Sequence, residues 1–230
     1  MASGSDEGMG GLNVVLLGAP GAGKGTQAQL IKDRFDLPHI ATGDILRAAV
    51  AAGTEVGLRA KAYMDKGELV PDEVVVAIVA DRIAEDDCAD GWLLDGFPRT
   101  VPQAEALDRT IAEKSLKPID CVVYLSITAE AVVERLSGRR VCPNTECGAA
   151  YNVETMPPKA EGICDRCGTG IIQRDDDKPD TVRQRLETYE KRTSALVARY
   201  RDAGVLAEIQ AEGTPEEVSE RVLAELGSVE

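Results

Sequence analysis

The sequence predicts an α/β fold, a three-layer sandwich in which helices cover both faces of a five-stranded parallel β-sheet. Short apolar runs alternate with segments of helical periodicity, and strands joined through helices pair in parallel. A glycine-rich turn directly follows the first apolar run, as in folds whose first loop binds phosphate. Residues 138–177 are instead rich in Gly, Pro and Cys, which indicates an insertion into the α/β domain.

The predicted elements follow one another along the whole chain. Pro71 stands where a helix would begin, and Thr128 is a plausible cap for another. The predicted strands are Leu12–Leu17, His39–Ala41, Trp92–Asp95, Cys121–Ile127 and Val205–Ile209. The predicted helices are Gln27–Arg34, Ile45–Ala52, Val56–Lys66, Asp72–Glu85, Val101–Lys114, Thr128–Arg135, Thr181–Arg201 and Thr214–Leu226.

Composition narrows the classes of function. The apolar run Val74–Ala80 is among the longest and falls well short of the roughly 20 residues of a membrane span. A formal net charge of −14 argues against non-specific binding to nucleic acid. Residues 1–11 lack the basic start and apolar stretch of a secretory signal, and we expect them to be a disordered extension. We therefore expect a cytoplasmic protein, acting as a monomer.

Gly18–Thr26 reads GAPGAGKGT and has the spacing of a Walker A loop. Glycines let backbone N–H groups turn inward onto phosphates, the following helix adds its positive end, and Lys24 supplies a point charge. The loop departs from the usual pattern because Gly25 stands where a Ser or Thr hydroxyl would hold Mg²⁺. We therefore expect Mg²⁺ to rest on the ATP phosphates and on water, with Asp95 as the outer partner of that water.

Four cysteines in the insertion have the spacing of a metal site: Cys142, Cys147, Cys164 and Cys167. Four thiolates from two turns form a closed tetrahedral site for structural Zn²⁺. Two disulfides are the alternative, which a cytosolic location disfavours. The segment also contains few apolar residues, so it needs a metal ion or another cross-link to fold.

Arginines are placed where they could grip phosphates with paired hydrogen bonds. Arg47 and Arg99 lie beside predicted strand ends or turns, whereas others bracket the insertion. The alternative for each is a solvated surface charge, which we favour for Arg183. No general base is required for an anionic phosphate nucleophile, so His39 is expected to be structural.

The loop variant GxPGxGKGTQ resembles the adenylate kinase family, and further motifs of that family follow in order. They are Thr42-Gly-Asp-Ile-Leu-Arg47, Gly67-Glu-Leu-Val-Pro-Asp72 and Asp95-Gly-Phe-Pro-Arg99. The resemblance covers nearly all of the chain after Leu12 and identifies it with the long bacterial form that carries a zinc-binding lid. It implies a mobile AMP-binding domain at 41–70, a lid segment at 138–177, and a core at 12–40, 71–137 and 178–230.

The resemblance also implies roles for individual residues. Gln103 would bond the adenine edge of AMP, Ala150, Tyr151 and the backbone of Gly213 would lie against the adenine of ATP, and Arg174 and Arg185 would bridge the two phosphate chains. The implied AMP-binding residues are Thr42, Arg47, Glu68, Leu69, Val70, Gly96, Phe97, Pro98, Arg99, Gln103, Arg174 and Arg185. The implied ATP-binding residues are Gly21, Ala22, Gly23, Lys24, Gly25, Thr26, Arg135, Arg139, Ala150, Tyr151 and Gly213. The implied catalytic residues are Lys24, Asp95, Arg99, Arg139, Arg174 and Arg185.

The expected function is reversible, Mg²⁺-dependent transfer of the terminal phosphoryl group of ATP to AMP, giving two ADP. Another acceptor, UMP or CMP, stays open because Thr42 and Gln103 are thin evidence for adenine. A zinc-ribbon nucleic-acid binder driven by an ATPase is a third hypothesis. It is disfavoured because acidic residues outnumber basic ones in the cysteine-rich segment.

Overall fold

The structure is a computed structural model that describes residues 11–144 and 147–229. Apart from Gly11, the predicted disordered extension lies outside the described residues. Of the helices in the described ranges, none combines the length and apolar character needed to cross a membrane.

A five-stranded parallel sheet forms the centre of the fold, as predicted, with the strand order β2-β3-β1-β4-β7. The first strand is fully buried, as expected for a central strand covered on both faces. The strands are β1 Leu12–Gly18, β2 His39–Ala41, β3 Gly91–Asp95, β4 Cys121–Ser126 and β7 Leu206–Gln210.

Two apolar cores lie on opposite faces of this sheet, because successive strand residues point to opposite sides. Val15 and Leu17 pack into one core, with residues from α4, α5 and α8. Val14 and Leu16 pack into the other, with residues from α1 and α9. The helices of the three-layer sandwich are α1 Lys24–Phe35, α4 Asp72–Arg82, α5 Val101–Glu113, α6 Ala129–Gly138, α7 Pro179–Arg192, α8 Ala195–Asp202 and α9 Pro215–Leu226.

Two insertions extend from the sandwich. Between β2 and α4, the helices α2 Thr42–Ala51 and α3 Glu55–Met64 pack against each other. In the lid segment, β5 Arg139–Val141 pairs antiparallel with β6 Ala150–Asn152. This hairpin was not predicted, because its two short strands contain neither an apolar run nor a clear alternation of apolar and polar residues.

The prediction of one helix over Thr181–Arg201 is wrong. The structure contains α7 and α8, which are separated at Thr193 and Ser194. Thr193 is buried and its hydroxyl donates to the carbonyl oxygen of Arg99 at 2.8 Å. The break lets Leu196 and Tyr200 of α8 enter the sheet core, a tertiary requirement that helical periodicity does not encode. The predicted cap is confirmed, since the Thr128 hydroxyl accepts from the N–H of Ala131.

Candidate active site

A cleft opens at the carboxyl ends of the parallel strands, where open α/β sheets bind ligands. Gly18 ends β1, Asp95 ends β3, and Thr42 follows β2 directly. The space inside the cleft, counted together with open solvent at its mouth, is about 1040 Å³, at the upper end of the range for small-molecule sites. Predicted site residues on its wall are Lys24, Thr42, Arg47, Glu68, Leu69, Val70, Gly96, Pro98, Arg99, Gln103 and Arg185.

The glycine-rich loop connects β1 to α1 along one side of this cleft. Gly23 has φ 94° in the left-handed region and starts α1, a conformation that favours glycine. The helix has no side-chain cap and no acidic residue in its first turn, so no side chain of its own satisfies its N-terminal N–H groups. The ammonium of Lys24 donates to the carbonyl oxygens of Gly18 and Ala19 at 2.8 and 2.9 Å. This arrangement places N–H donors and a cation where a phosphate chain can lie.

Asp95 lies at the base of the loop with its side chain only 15% exposed. Its Oδ2 is 3.7 Å from Nε2 of His39. Burial would raise the pKa of Asp95, but His39, Lys24 and Arg99 outweigh burial and hold this pKa below its usual value. A Cβ at Gly25 would lie 3.9 Å from Oδ2, so the carboxylate faces the position where Walker A loops carry a hydroxyl. An ionised carboxylate at this place can hold the water molecules that Mg²⁺ usually keeps.

Three of the predicted phosphate-binding arginines lie on the cleft wall: Arg47, Arg99 and Arg185. Nε of Arg99 donates to the carbonyl oxygen of Gly96 at 2.7 Å. Arg185 lies with Nη1 3.0 Å from Oδ2 of Asp176, which also lines the cleft. The arginine side chains are therefore held in place by the protein itself.

Arg139 and Arg174, at the two ends of the lid segment, are not part of the cleft wall. Arg139 donates from Nε and Nη2 to the buried carboxylate of Asp177, at 2.8 and 2.5 Å. Nη2 of Arg174 lies 3.8 Å from Oδ1 of Asp44, the atom that also accepts from Arg47 at 2.5 Å. Arg139 nevertheless acts electrostatically on the cleft cations, since it lowers the pKa values of Lys24 and Arg185.

The cationic side chains in and around the cleft repel one another, which lowers their pKa values. Burial and then the neighbouring Arg99, Arg185 and Arg139, opposed by Asp95, lower the pKa of Lys24 to about 8. Burial and Arg185 lower the pKa of Arg99 to about 10. Arg174, whose pKa is also lowered to about 10, responds mainly to burial and Arg47. A site whose cations repel one another is complementary to a highly charged anion.

The residues predicted to bind AMP differ in how far they are exposed to the cleft. Thr42 is buried and its hydroxyl donates to the carbonyl oxygen of Asp95 at 3.3 Å. Phe97 belongs to the sheet core rather than to the cleft wall. Gln103 is 2% exposed, yet its side chain reaches the wall.

The wall also includes residues of α7 and of the segment after α3 that were not among the predicted site residues. Thr188 joins these two parts, since its hydroxyl lies 3.3 Å from the carbonyl oxygen of Gly67 and 2.7 Å from that of Gln184 in its own helix. The fold brings them together across more than a hundred residues, which no local motif can reveal. The wall residues that sequence reasoning missed include Leu46, Met64, Gly67, Val75, Asp176, Thr188, Tyr189 and Thr193.

The residues predicted to contact the adenine of ATP lie in two places. Arg135 lies beside the segment that contains Gly213, because its Nη2 donates at 2.7 Å to the carbonyl oxygen of Ala211. Ala150 is exposed on β6, whereas the ring of Tyr151 is buried inside the lid segment. The Tyr151 hydroxyl donates to Sγ of Cys164 at 3.4 Å and so supports the cysteine cluster.

The four cysteines of the lid segment meet in space. Their Sγ atoms all lie within 4.8 Å of one another. Cys142 and Cys167 are 3.4 Å apart at sulfur, and Cys147 and Cys164 are 3.6 Å apart. A disulfide requires about 2.0 Å. A tetrahedron of Zn–S bonds of about 2.3 Å has edges of about 3.8 Å. The separations therefore fit a tetrahedral metal site rather than two disulfides.

Comparison with known proteins gives consistent results. The model of the adenylate kinase family matches residues 16–205. An adenylate kinase of Clostridium acetobutylicum is 50% identical over 95% of the chain and 100% of its own length. An adenylate kinase of a Geobacter species is 53% identical over 93% of the chain and 98% of its own length. Another, from a Thermoanaerobacter species, is 50% identical over 94% of the chain and 98% of its own length.

Proposed function

The chain belongs to the adenylate kinase family and functions as an adenylate kinase, a phosphotransferase, and we propose that its cleft aligns ATP and AMP for that reaction. The terminal phosphoryl group of ATP passes to the phosphate of AMP, and two ADP result. The observation that carries the assignment is the set of mutually repelling cations on the cleft wall, between the glycine-rich loop and the pocket of Thr42 and Gln103.

The ATP phosphates lie along the loop from Gly21 to Thr26 in this proposal. Uncapped N–H groups at the start of α1 and the Lys24 ammonium bind the outer phosphate oxygens. Arg135 and Arg139 approach the phosphates from the start of the lid segment. The adenine of ATP is surrounded by Ala150, Tyr151 and Gly213. Because the Tyr151 ring is buried in the lid, its contribution to that surface is chiefly through its backbone.

The AMP phosphate is held on the opposite side by Arg47 and Arg99, each able to form two parallel hydrogen bonds. Thr42, Gln103 and the segment Glu68–Val70 surround the nucleoside. Arg174 and Arg185 bridge the two phosphate chains. The remaining residues of this side are Gly96, Phe97 and Pro98.

Transfer requires alignment and cationic stabilisation of the moving phosphoryl group, with little covalent help from the protein. The attacking AMP oxygen is already anionic, so no side chain has to remove a proton. Lys24, Arg99 and Arg185 are charged before the substrates arrive and held by burial and neighbouring groups, so the site reorganises little during the reaction.

Mg²⁺ accompanies ATP, and Asp95 is the residue that orients the water around it. When bound, this ion neutralises phosphate charge. Gly25 has no hydroxyl to bind the ion directly. Asp95 therefore acts on Mg²⁺ through the water molecules that the ion holds.

Zn²⁺ is the metal we propose for the cysteine cluster, because four thiolates at tetrahedral separations favour it. Four protein ligands leave no open position, so the role is structural. Free thiols at metal-ligand distances also favour the reducing cytoplasm.

The lid segment at 138–177 and the AMP-binding domain at 41–70 close on the core at 12–40, 71–137 and 178–230. Closure excludes water, which would otherwise accept the phosphoryl group. The parts assigned to both substrates come from one chain, so a monomer suffices. The acidic surface of the cysteine-rich segment disfavours a nucleic-acid partner.

An acceptor panel tests the proposal. With MgATP as donor, we expect ADP formation with AMP and far slower product formation with UMP or CMP. Hydrolysis of ATP at the same rate without AMP would refute phosphoryl transfer, and preference for UMP or CMP would refute the acceptor.

Two arginines on α7 provide a matched pair for the site assignment. Arg185 is 19% exposed at its side chain and faces the cleft, whereas Arg183 is 71% exposed and pairs with Asp180. We expect Arg185→Lys to lower kcat by about a hundredfold or more, since lysine cannot reproduce the paired hydrogen bonds. Arg183→Lys should leave kcat unchanged, and equal losses in both variants would contradict the assignment.

A further inference from the structure

The side-chain amide of Gln103 is fixed at both of its polar atoms. Its Oε1 accepts from the backbone N–H of Arg99 at 2.7 Å, and its Nε2 donates to Oδ1 of Asp72 at 2.7 Å. Oδ2 of the same aspartate accepts from the Thr100 hydroxyl at 3.0 Å. That hydroxyl also accepts from the backbone N–H of Gln103 and caps α5. The carboxylate of Asp72 therefore links the first turns of α4 and α5 directly behind Gln103.

This network allows one orientation of the amide. A backbone N–H can only donate, so the atom facing Arg99 must be the amide oxygen. An ionised carboxylate can only accept, so the atom facing Asp72 must be the amide nitrogen. A rotation of the amide by half a turn would place two donors together at Arg99 and two acceptors together at Asp72. Asp72 therefore provides one of the two contacts that fix the orientation of the amide, and the Arg99 N–H provides the other.

One N–H and one oxygen lone pair of the amide remain for a ligand, because each atom uses half of its capacity on the protein. Gln103 is 2% exposed but lies on the cleft wall, so a ligand reaches these groups from the cleft. Adenine offers an N6 donor beside an N1 acceptor. Hypoxanthine offers an O6 acceptor beside an N1–H donor, the reverse pattern. An amide of fixed orientation can match one of these bases but not both in the same position.

We propose that Asp72 is a specificity-determining residue that acts through Gln103, holding its amide in the orientation that accepts a 6-amino purine and rejects a 6-oxo purine. This inference rests on the proposed function, in which Gln103 faces the base of AMP. Asp72 is a positioning residue here and has no contact with the reacting atoms.

The test compares AMP with IMP, which differ only at positions 1 and 6 of the base. Initial rates with MgATP give kcat/KM for each acceptor. Asp72→Asn places an amide that can either donate or accept opposite Gln103, so only the Arg99 N–H still opposes the rotated orientation. We expect the AMP-to-IMP ratio of kcat/KM to fall at least about tenfold, with part of the fall coming from a gain on IMP.

Glu73→Gln is the matched control, because it removes the same charge from the same helix turn at an exposed position. Its ratio should equal that of the wild type. If Asp72→Asn is not recovered folded by thermal unfolding, Asp72→Ser removes the acceptor-only group in the same way and should give the same fall. An unchanged ratio, or parallel losses on both acceptors, would overturn the inference.

A double-mutant cycle separates this role from general stabilisation. In a Gln103→Ala background, Asp72→Asn should leave the ratio unchanged, since the amide to be oriented is gone. A ratio that still changes would show that Asp72 does not act through Gln103. A wild-type enzyme that uses AMP no better than IMP would instead defeat the assignment of Gln103 to the base, a separate failure from that of Asp72.

Discussion

The buried carboxylate of Asp177 offers the sharpest test of the interactions at the base of the lid segment. Its side chain is fully buried, and it accepts two hydrogen bonds from Arg139. Nη1 of Arg185 lies a further 3.3 Å from the same carboxylate. Asp177→Asn keeps the size of the side chain but removes its charge and turns an amide nitrogen toward two guanidinium groups.

The cost follows from the burial of this pair. Breaking a buried ion pair by removing one partner costs about 3–5 kcal/mol, because the remaining charge is left without compensation. Arg139 is 22% exposed at its side chain, so water recovers part of that loss. We therefore expect Asp177→Asn to lower the free energy of unfolding by about 3 kcal/mol. For a chain of this size, that corresponds to a fall in Tm of about 6–12 °C.

Urea unfolding followed by far-UV circular dichroism, with zinc present, measures this change. Asp175→Asn is the matched control, since Asp175 lies in the same short 3-10 helix but is 82% exposed and pairs with Lys178 on the surface. The control should lose less than about 1 kcal/mol. Equal losses in the two variants, or a loss under about 1 kcal/mol for Asp177→Asn, would refute the reasoning from burial.

Three further predictions concern the loop, the α2–α3 pair and the cysteine cluster. Lys24→Met should lower kcat by several orders of magnitude yet raise the free energy of unfolding at pH 7 by about 1 kcal/mol. The fall of the Lys24 pKa from 10.5 to about 8 means that the empty folded site holds this proton at a cost of about 3 kcal/mol, and the loss of two hydrogen bonds to Gly18 and Ala19 offsets about 2 kcal/mol of it. Wild-type stability should then gain on the variant as pH rises from about 8 to 10.5, and a variant that is less stable at pH 7 would contradict the argument. Gly57→Ala would place a Cβ 2.1 Å from the carbonyl oxygen of Ala49, so α2 and α3 must separate. We expect the KM for AMP to rise while the KM for ATP stays unchanged. An unchanged KM for AMP would contradict this prediction. Cys164→Ser should lower zinc content and Tm yet retain activity at low temperature, and a stable but inactive variant would refute the structural role of the metal.

Local motifs carried most of what the sequence could predict. The glycine-rich loop, the residues after β2 and β3, and the cysteine pairs are each recognisable because neighbouring residues supply the chemistry. The parallel sheet then brings the strand ends together without further information. The prediction from sequence that Gly18–Thr26 connects a strand to a helix is confirmed.

Burial and long-range partners were beyond this kind of reasoning. Asp175, Asp176 and Asp177 are equivalent letters in a sequence, yet their side chains are 82%, 19% and 0% exposed. Asp177, the buried one, binds Arg139 across 38 residues. The link between Asp72 and Gln103 spans 31 residues, and no motif indicates it.

The acidic character of the chain and the anionic character of its substrates are compatible for a reason of scale. The net charge of −14 is a sum over the whole molecule, whereas charges farther apart than about 8 Å are largely screened at physiological ionic strength. Inside the cleft the nearby cations dominate, because burial and mutual repulsion lower the pKa values of Lys24, Arg99 and Arg185 together. The phosphate groups of a nucleotide are anionic, so we expect their binding beside these cations to relieve the repulsion. A nucleic acid carries its charge along a chain that extends beyond any one cleft, so the net charge of −14 would oppose it; we therefore expect the same chain to favour a small anion over the polymer.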